Sequence, residues 1–477
     1  MKTPIDAAAQ LAITTLTKQA PAASELAKLF KVAGFKLALV GGPVRDAILG
    51  RLGNDLDFTT DAHPKDSEKI LNKWADSVWD IGAAFGTVAG KKDEITVEIT
   101  TYRSESYDPT SRKPDVEFGK SIEADLARRD FTINAMALEL TTDEPTFIDL
   151  FNGVVDLQKK IIKTPGKPED SFSDDPLRMM RAARFMSQLN FEVDQTVLVA
   201  IKNMAARLEI ISAERIRDEF IKIMMSPSPR LGITLLVETG LADYFLPEVP
   251  KLKLEIDEHH HHKDVYEHSL TVLEQAIALE DRLAGPNLTL RLAALLHDIG
   301  KPKTKQLIAG GGVSFHHHEV VGARMCKERM KKLRFDNHII NDVSQLVFLH
   351  LRFHGYGSGE WTDSAVRRYV RDAGELLTHL HLLTRADCTT RNKKKAEGLA
   401  RTYDQLEERI ELLMQQEELN KIRPDLSGEQ IMEILGIKPS PTVGKAYDFL
   451  LELRLEHGPL GEEKAKQALL TWWREQK

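Results

Sequence analysis

Asp55 and Asp57 stand two residues apart in Asp55-Leu56-Asp57-Phe58-Thr59. On a β-strand that spacing sends both carboxylates to one face while Leu56 and Phe58 pack on the other. Such a pair can share a divalent cation. Glu98, in the alternating stretch Thr96-Val97-Glu98-Ile99-Thr100, supplies a third oxygen ligand if the two strands are neighbours. Three carboxylates on one sheet face repel one another unless a cation sits among them, and Mg²⁺ is the usual choice for oxygen ligands. The plainer alternative is an edge strand with a solvated acidic face. Against it, Gly41-Gly42 lets backbone N–H groups approach a phosphate, and Arg45 follows on the first turn of the next element. A phosphate cradle beside a metal site is what phosphoryl or nucleotidyl transfer needs.

Further along, Arg128-Arg129-Asp130-Phe131-Thr132-Ile133-Asn134-Ala135-Met136 sets two cations, a carboxylate and an amide among apolar residues. In Asp174-Asp175-Pro176-Leu177-Arg178, continuing through Arg181 and Arg184, the residues Asp175, Arg178, Arg181 and Arg184 recur every three positions. On a helix they form a ridge of neighbours that drifts around the axis. Leu177, Met179, Met180, Ala182, Ala183 and Phe185 make the rest of that helix apolar, so the arginine row is expected to meet an anion in a partly buried cleft; a solvated face is the alternative. A different chemistry is suggested by Leu295-Leu296-His297-Asp298-Ile299-Gly300-Lys301, with His268 upstream and His318, His350 and Asp387 downstream. One buried histidine is usually a satisfied core residue, but a series of them with aspartates points to a metal site. His259-His260-His261-His262 reads as a solvated linker.

The elements that must carry these residues divide the chain. Phe35–Val40 is an apolar run ending at the Gly41-Gly42 turn, and Pro43 suits the first turn of a helix closed by Gly50. After Asp170 nearly everything reads as amphipathic helix, so the fold class is α+β: a head with a small mixed sheet, then an all-α body. Pro- and Gly-containing stretches place the domains at 1–163, 164–250, 251–395 and 396–477. Arg103 to Pro114 is polar, lacks an apolar period and reads as a mobile loop. The 477 residues carry 65 Lys and Arg against 72 Asp and Glu, a net charge of −7, so any polyanion site must be a local concentration of cations. Two cysteines, Cys326 and Cys388, exclude a disulfide scaffold or a Cys-based zinc cluster and fit a reducing cytoplasm. No apolar run suggests a membrane span.

Gly41-Gly42-Pro43-Val44-Arg45-Asp46, Asp55-Leu56-Asp57-Phe58, Arg128 to Met136 and Asp174 to Arg178, in that order, resemble the class II tRNA nucleotidyltransferases, the bacterial CCA-adding enzymes and their poly(A) polymerase relatives. The resemblance implies a polymerase-β-type head followed by a helical neck and body. It implies that Asp55 and Asp57 bind the catalytic Mg²⁺, that Gly42 and Arg45 contact the triphosphate, and that Arg129 and Asp130, with Asn134 in the same motif, bind the nucleotide. Asp175 and Arg178 are implied to read the base edge, and Arg181 and Arg184 to add further nucleotide contacts. Position 43 is Pro where the family usually has Ala or Cys, and position 174 is Asp where it usually has Glu. The chemistry agrees with the implied roles: a carboxylate accepts from the exocyclic amine of cytosine or adenine, whereas UTP and GTP present a carbonyl there.

Residues 263–392 resemble the HD superfamily of metal-dependent phosphohydrolases. That resemblance implies metal ligands at His268, His297, Asp298 and Asp387, with His318 and His350 where two-metal members have additional ones; a divalent transition metal is possible there. Gly428 to Pro439 and Val443-Gly444-Lys445 resemble the C-terminal helical segment of the same nucleotidyltransferases, where contact with an RNA backbone and ordinary helix packing are both open. Trp472 and Trp473 are expected in the core. The resulting expectation is template-independent addition of CCA to the 3′ end of tRNA from CTP and ATP. A poly(A) polymerase, or an HD phosphohydrolase with a nucleotide-binding head, is the alternative.

Overall fold

The computed structural model describes residues 4–82, 86–106, 115–118, 121–254, 264–307, 313–352, 362–389, 392–417 and 422–476. The histidine run at 259–262 lies outside them. The chain forms two compact units, Met1–Phe245 and Leu246–Lys477.

In the first unit α1 (Pro4–Gln19) and α2 (Pro21–Val32) precede β1 (Leu37–Val40), which is buried at every position. The chain continues through α3 (Gly42–Ile48), β2 (Asp55–Thr60), α4 (Pro64–Trp74), β3 (Ser77–Gly82), β4 (Thr87–Lys92) and β5 (Ile95–Thr101). Next, β6 (Arg103–Ser106) and β7 (Asp115–Phe118) pair as a separate antiparallel hairpin before α5 (Ile122–Ala127), β8 (Met136–Glu139) and β9 (Thr146–Asp149). The main sheet has the order β3-β4-β5-β2-β1-β8-β9. Within it β2 and β5 are parallel neighbours, which sets Asp57 opposite Glu98 and Asp55 opposite Thr96. Leu56 and Phe58 are buried beneath them, as the alternation requires. The hairpin corrects one expectation. Residues 103–106 are a strand, because their backbone is paired in register with 115–118, whereas 107–114 lie outside the described residues.

After α6 (Gly153–Lys159), β10 (Ile161–Ile162) and α7 (Pro168–Asp174) comes α8 (Leu177–Leu189). Then follow β11 (Glu192–Val193), paired with β10, and α9 (Gln195–Met204), α10 (Ala213–Met224), α11 (Pro229–Glu238) and α12 (Ala242–Phe245). Met179, Met180, Ala182 and Ala183 are fully buried, so the apolar side of α8 is a core face. Asp175 does not share this helix with the arginines. Pro176 restarts the chain at the N-terminus of α8, and Asp175 stays in the junction, where its Oδ1 accepts the Leu177 N–H at 3.1 Å.

The second unit begins with α13 (Val265–Ile277), α14 (Leu288–Leu296), α15 (Lys301–Thr304) and the short hairpin β12 (Gln306–Leu307) and β13 (Val313–Ser314). Next come α16 (His318–Lys332), α17 (Asn337–Leu349), α18 (Asp363–Ala373) and α19 (Leu377–Asp387). α14 is buried from Leu290 to Leu296, as a helix that is apolar all round must be. The chain ends with α20 (Lys393–Glu417), α21 (Gly428–Leu435), α22 (Pro441–His457) and α23 (Glu462–Glu475). Arg367 of α18 ties this end down, donating to Glu417 and to the carbonyls of Leu455 and Glu456. Trp472 and Trp473 correct a second expectation: both are half-buried, stacked on each other at 6.3 Å, with Trp472 resting on Phe449 beside the small core of the last three helices.

Candidate active site and metal centre

Asp55, Asp57 and Glu98 share the open face of β2 and β5, and solvent reaches all three. The surrounding protein nevertheless strips water from Asp57 and raises its carboxyl above the usual range; Arg129 opposes this and Asp55 reinforces it. Glu98 is raised for the same reason, desolvation first and then the charges of Asp57 and Asp55. This is a donor set short of positive charge, and a divalent cation with oxygen ligands answers that shortage.

At the end of β1 the backbone of Gly41 takes φ 74°, which favours glycine. A Cβ there would stand 2.8 Å from Nη1 of Arg129 and 3.9 Å from Oδ2 of Asp57, so the bare backbone is what lets this guanidinium lie against the turn. Arg129 is held in turn by the fully buried Asp125 of α5, which it contacts at 3.2 Å while Arg128 contacts the same carboxylate at 2.7 Å.

A continuous polar chain runs behind this turn. Arg45 Nη1 donates to Asn134 Oδ1 at 2.7 Å, Asn134 Nδ2 to Asp130 Oδ1 at 3.1 Å, and Arg181 Nε to Asp130 Oδ2 at 2.7 Å. Burial would raise the Asp130 carboxyl, but Arg181, the Asn134 hydrogen bond and Arg178 together hold it down at about 2. The Phe185 ring underlies the arrangement, with the guanidinium carbons of Arg45, Arg181 and Arg184 at 5.4, 5.8 and 4.5 Å from its centroid. Arg184 is paired with the buried Glu219 of α10 at 3.0 Å, yet desolvation and the neighbouring Arg181 and Arg45 still lower its affinity for a proton. Cations gathered this closely suit an anion with several charges.

Arg178 is 9% exposed and donates to Ser171 Oγ at 2.9 Å and to the Arg128 carbonyl at 2.6 Å. Asp175 instead pairs with Arg215 of α10 at 2.8 Å. The structure therefore brings Arg45, Asp130, Asn134 and Arg181 into one hydrogen-bonded chain, whereas Asp175 and Arg178 are held by separate partners. Asp125, Phe185, Arg215 and Glu219 were not foreseen. The signal available for the last two was a charged stretch, Glu214 to Glu219, inside an otherwise apolar helix.

In the second unit His268, His297 and Asp387 form one donor set and Asp298, His318 and His350 another. Asp298 bridges them: Oδ2 lies 3.1 Å from His297 Nε2 and Oδ1 lies 3.2 Å from His318 Nε2. His297, His318 and His350 each place Nδ1 at 2.6 to 2.9 Å from a backbone carbonyl, of Ala294, Phe315 and Val347. A carbonyl only accepts, so Nδ1 carries the hydrogen and the Nε2 lone pairs point inward. The Nε2 atoms approach to 3.2 Å between His268 and His297 and 3.3 Å between His318 and His350. Ring nitrogens and carboxylate oxygens gathered at that separation fit a divalent metal. Burial lowers His297, but Asp298 and Asp387 outweigh it and push the imidazole up to about 9; burial instead drives His350 down to about 3. Lys301, unassigned from sequence, contacts Asp298 Oδ2 at 2.9 Å. Gly300 makes the geometry possible: a Cβ there would be 2.2 Å from the His318 carbonyl oxygen, so any side chain would drive α16 away from the cluster.

The chain matches three family descriptions: "Poly A polymerase head domain" over residues 37–163, "Probable RNA and SrmB- binding site of polymerase A" over 190–252, and "HD domain" over 265–392. It is 32% identical over 446 residues to the A-adding tRNA nucleotidyltransferase of Deinococcus radiodurans, covering 92% of this chain and 96% of that protein. The chain thus belongs to the tRNA nucleotidyltransferase family. It is 39% identical over 253 residues to the CCA-adding enzyme of Ligilactobacillus salivarius, covering 52% of this chain but 61% of that relative's length. The same fold is found in the CCA-adding enzyme of Bacillus stearothermophilus, solved in complex with CTP, at a TM-score of 0.69 and 23% identity, with 100% and 99% of the two chains covered. No described helix is long and apolar enough to cross a membrane.

Proposed function

We propose that the protein adds CCA to the 3′ end of tRNA from CTP and ATP. The observation that carries this reading is the carboxylate face of β2 and β5, set beside the Gly41 turn and backed by the guanidiniums of Arg45, Arg129 and Arg181. The terminal 3′-hydroxyl of the RNA attacks the α-phosphorus, the bond to the β-phosphate breaks, pyrophosphate leaves, and the hydroxyl proton passes to solvent base. Asp55 and Asp57, with Glu98 opposite, hold Mg²⁺, which when bound lowers the pKa of the attacking hydroxyl and neutralises charge on the transferring group. Gly41-Gly42 and Arg45 receive the triphosphate, Asp130 and Asn134 hold Arg45 and Arg181 in place, and Asp175 with Arg178 reads the amine-bearing base edge. Reading the base requires Asp175 to exchange Arg215 for the nucleotide. The bridged donor sets of the second unit support a separate phosphoester hydrolysis on a divalent metal. Two free cysteines and the absence of a membrane-crossing helix among the described residues support action in the cytoplasm.

The near full-length likeness to an A-adding enzyme favours a second reading, addition of the terminal A alone. Both are tested by offering tRNA ending before CCA, or after CC, with CTP and ATP singly and together, and resolving products at single-nucleotide length. Three additions to the shorter tRNA establish CCA addition; extension of the CC-ending tRNA alone establishes the second reading; long A tracts refute both.

A further inference from the structure

We propose that the outward face of α16 is a docking track for the phosphate backbone of an RNA. This rests on the reading that RNA is the partner of the chain. The helix runs from His318, a buried member of the metal-ligand cluster, to Lys332. Arg324, Lys327 and Lys331 are spaced three and four residues apart, which aligns them on one side over about 10 Å of helix. All three are exposed, as is Lys332, while Met325, Cys326 and Met330 fill the opposite side and are buried.

Two further facts separate this stripe from an ordinary solvated face. First, none of these four cations has an ion-pair partner among the described residues, although Arg329 of the same helix is paired with Glu248 and Arg282, Arg291 and Arg385 are paired in the same unit. Second, the chain as a whole carries −7, yet between residues 301 and 335 there are nine Lys and Arg against two Glu. Cations repeated once per turn, without ion-pair partners and with one exposed carboxylate, Glu328, among them, suit a polyanion with a regular charge repeat. A lipid surface would require an apolar row beside the cations, and the described outer face of α16 has one large exposed apolar residue, Val320.

The test uses the full chain and a tRNA transcript lacking CCA. Lysine acetylation read by mass spectrometry, with and without the transcript, should show Lys327 and Lys331 protected. Combining Arg324→Glu, Lys327→Glu and Lys331→Glu should reduce the slope of log affinity against log salt by about 2 to 3, the amount expected for three lost phosphate contacts. The melting temperature should stay unchanged because the replaced side chains are exposed. If the transcript binds but both lysines keep their reactivity and the reversal leaves the salt slope intact, the track is refuted while the proposed function stands. If the wild-type chain binds no tRNA, the functional reading fails and the track with it. Protection by anionic lipid vesicles in place of the transcript would also refute it.

Discussion

The two glycines of the Gly41-Gly42 turn make a matched test of how the head is built. At Gly41 the backbone has φ 74° and ψ −139°, where a residue with a Cβ is strained by about 1–3 kcal/mol. The added methyl would also stand 2.8 Å from Nη1 of Arg129, and that guanidinium is anchored by the buried Asp125. At Gly42, by contrast, φ is helical, and the added Cβ would meet Arg45 Nη2 at 3.5 Å, an ordinary contact. Replacing glycine by alanine inside a helix contributes roughly 0.5–1 kcal/mol of stability. Gly41→Ala should therefore lower the melting temperature of the first unit by roughly 2–12 °C, given a few degrees per kcal/mol for a unit of this size. Gly42→Ala should leave it unchanged or slightly higher. Calorimetry on the full chain, with nucleotide incorporation in parallel, reads both effects. Incorporation should fall in Gly41→Ala because the displaced Arg129 no longer offsets the charge of Asp57. Equal stability of the two variants would show that neither the left-handed backbone nor the Arg129 contact holds the turn.

Asp55→Asn or Asp57→Asn should abolish incorporation of both CTP and ATP with melting nearly unchanged, since both carboxylates are open to solvent; C addition at the wild-type rate would remove the metal assignment. Arg215→Ala releases the Asp175 carboxylate, so competition between CTP and UTP should show altered discrimination, and an unchanged ratio would mean that Asp175 is positioned by Leu177 alone. The Asp130 carboxyl is held at about 2 against its ordinary 3.8, so folding gains about 2 kcal/mol that is fully present above pH 4 and lost as pH falls towards 2. Asp130→Asn should flatten that part of the acid-unfolding profile, and a wild-type profile would refute the assignment. His297→Ala combined with Asp298→Ala should abolish stoichiometric divalent metal in elemental analysis while nucleotide incorporation persists; full metal content would move the cluster elsewhere.

The chemistry of this protein was largely written in local patterns. The alternation in Asp55 to Thr59 and in Thr96 to Thr100 specified which side chains share a face, because the period of a strand is fixed by backbone geometry. Glycine and proline marked the turn at Gly41 and the helix start at Pro43 for the same kind of reason. The histidines and aspartates of the second unit suggested a metal site as a series, and the likeness of residues 263–392 to the HD superfamily singled out the ligands among 16 histidines.

What required the tertiary structure was every pairing between distant segments. Nothing local says that β5 runs parallel beside β2, and only that pairing sets Glu98 opposite Asp57. The ridge drawn through Asp175, Arg178, Arg181 and Arg184 broke at Pro176, and α10, entering from further along the chain, supplied Arg215 and Glu219 as partners. The indole pair at Trp472 and Trp473 was misplaced because two adjacent helical residues point in different directions, and the last three helices bury too little to cover both. Asp298 serves two donor sets because α14 ends between α13 and α16. That outcome is set by helix packing and by the missing side chain at Gly300, and it becomes visible only once the helices are in contact.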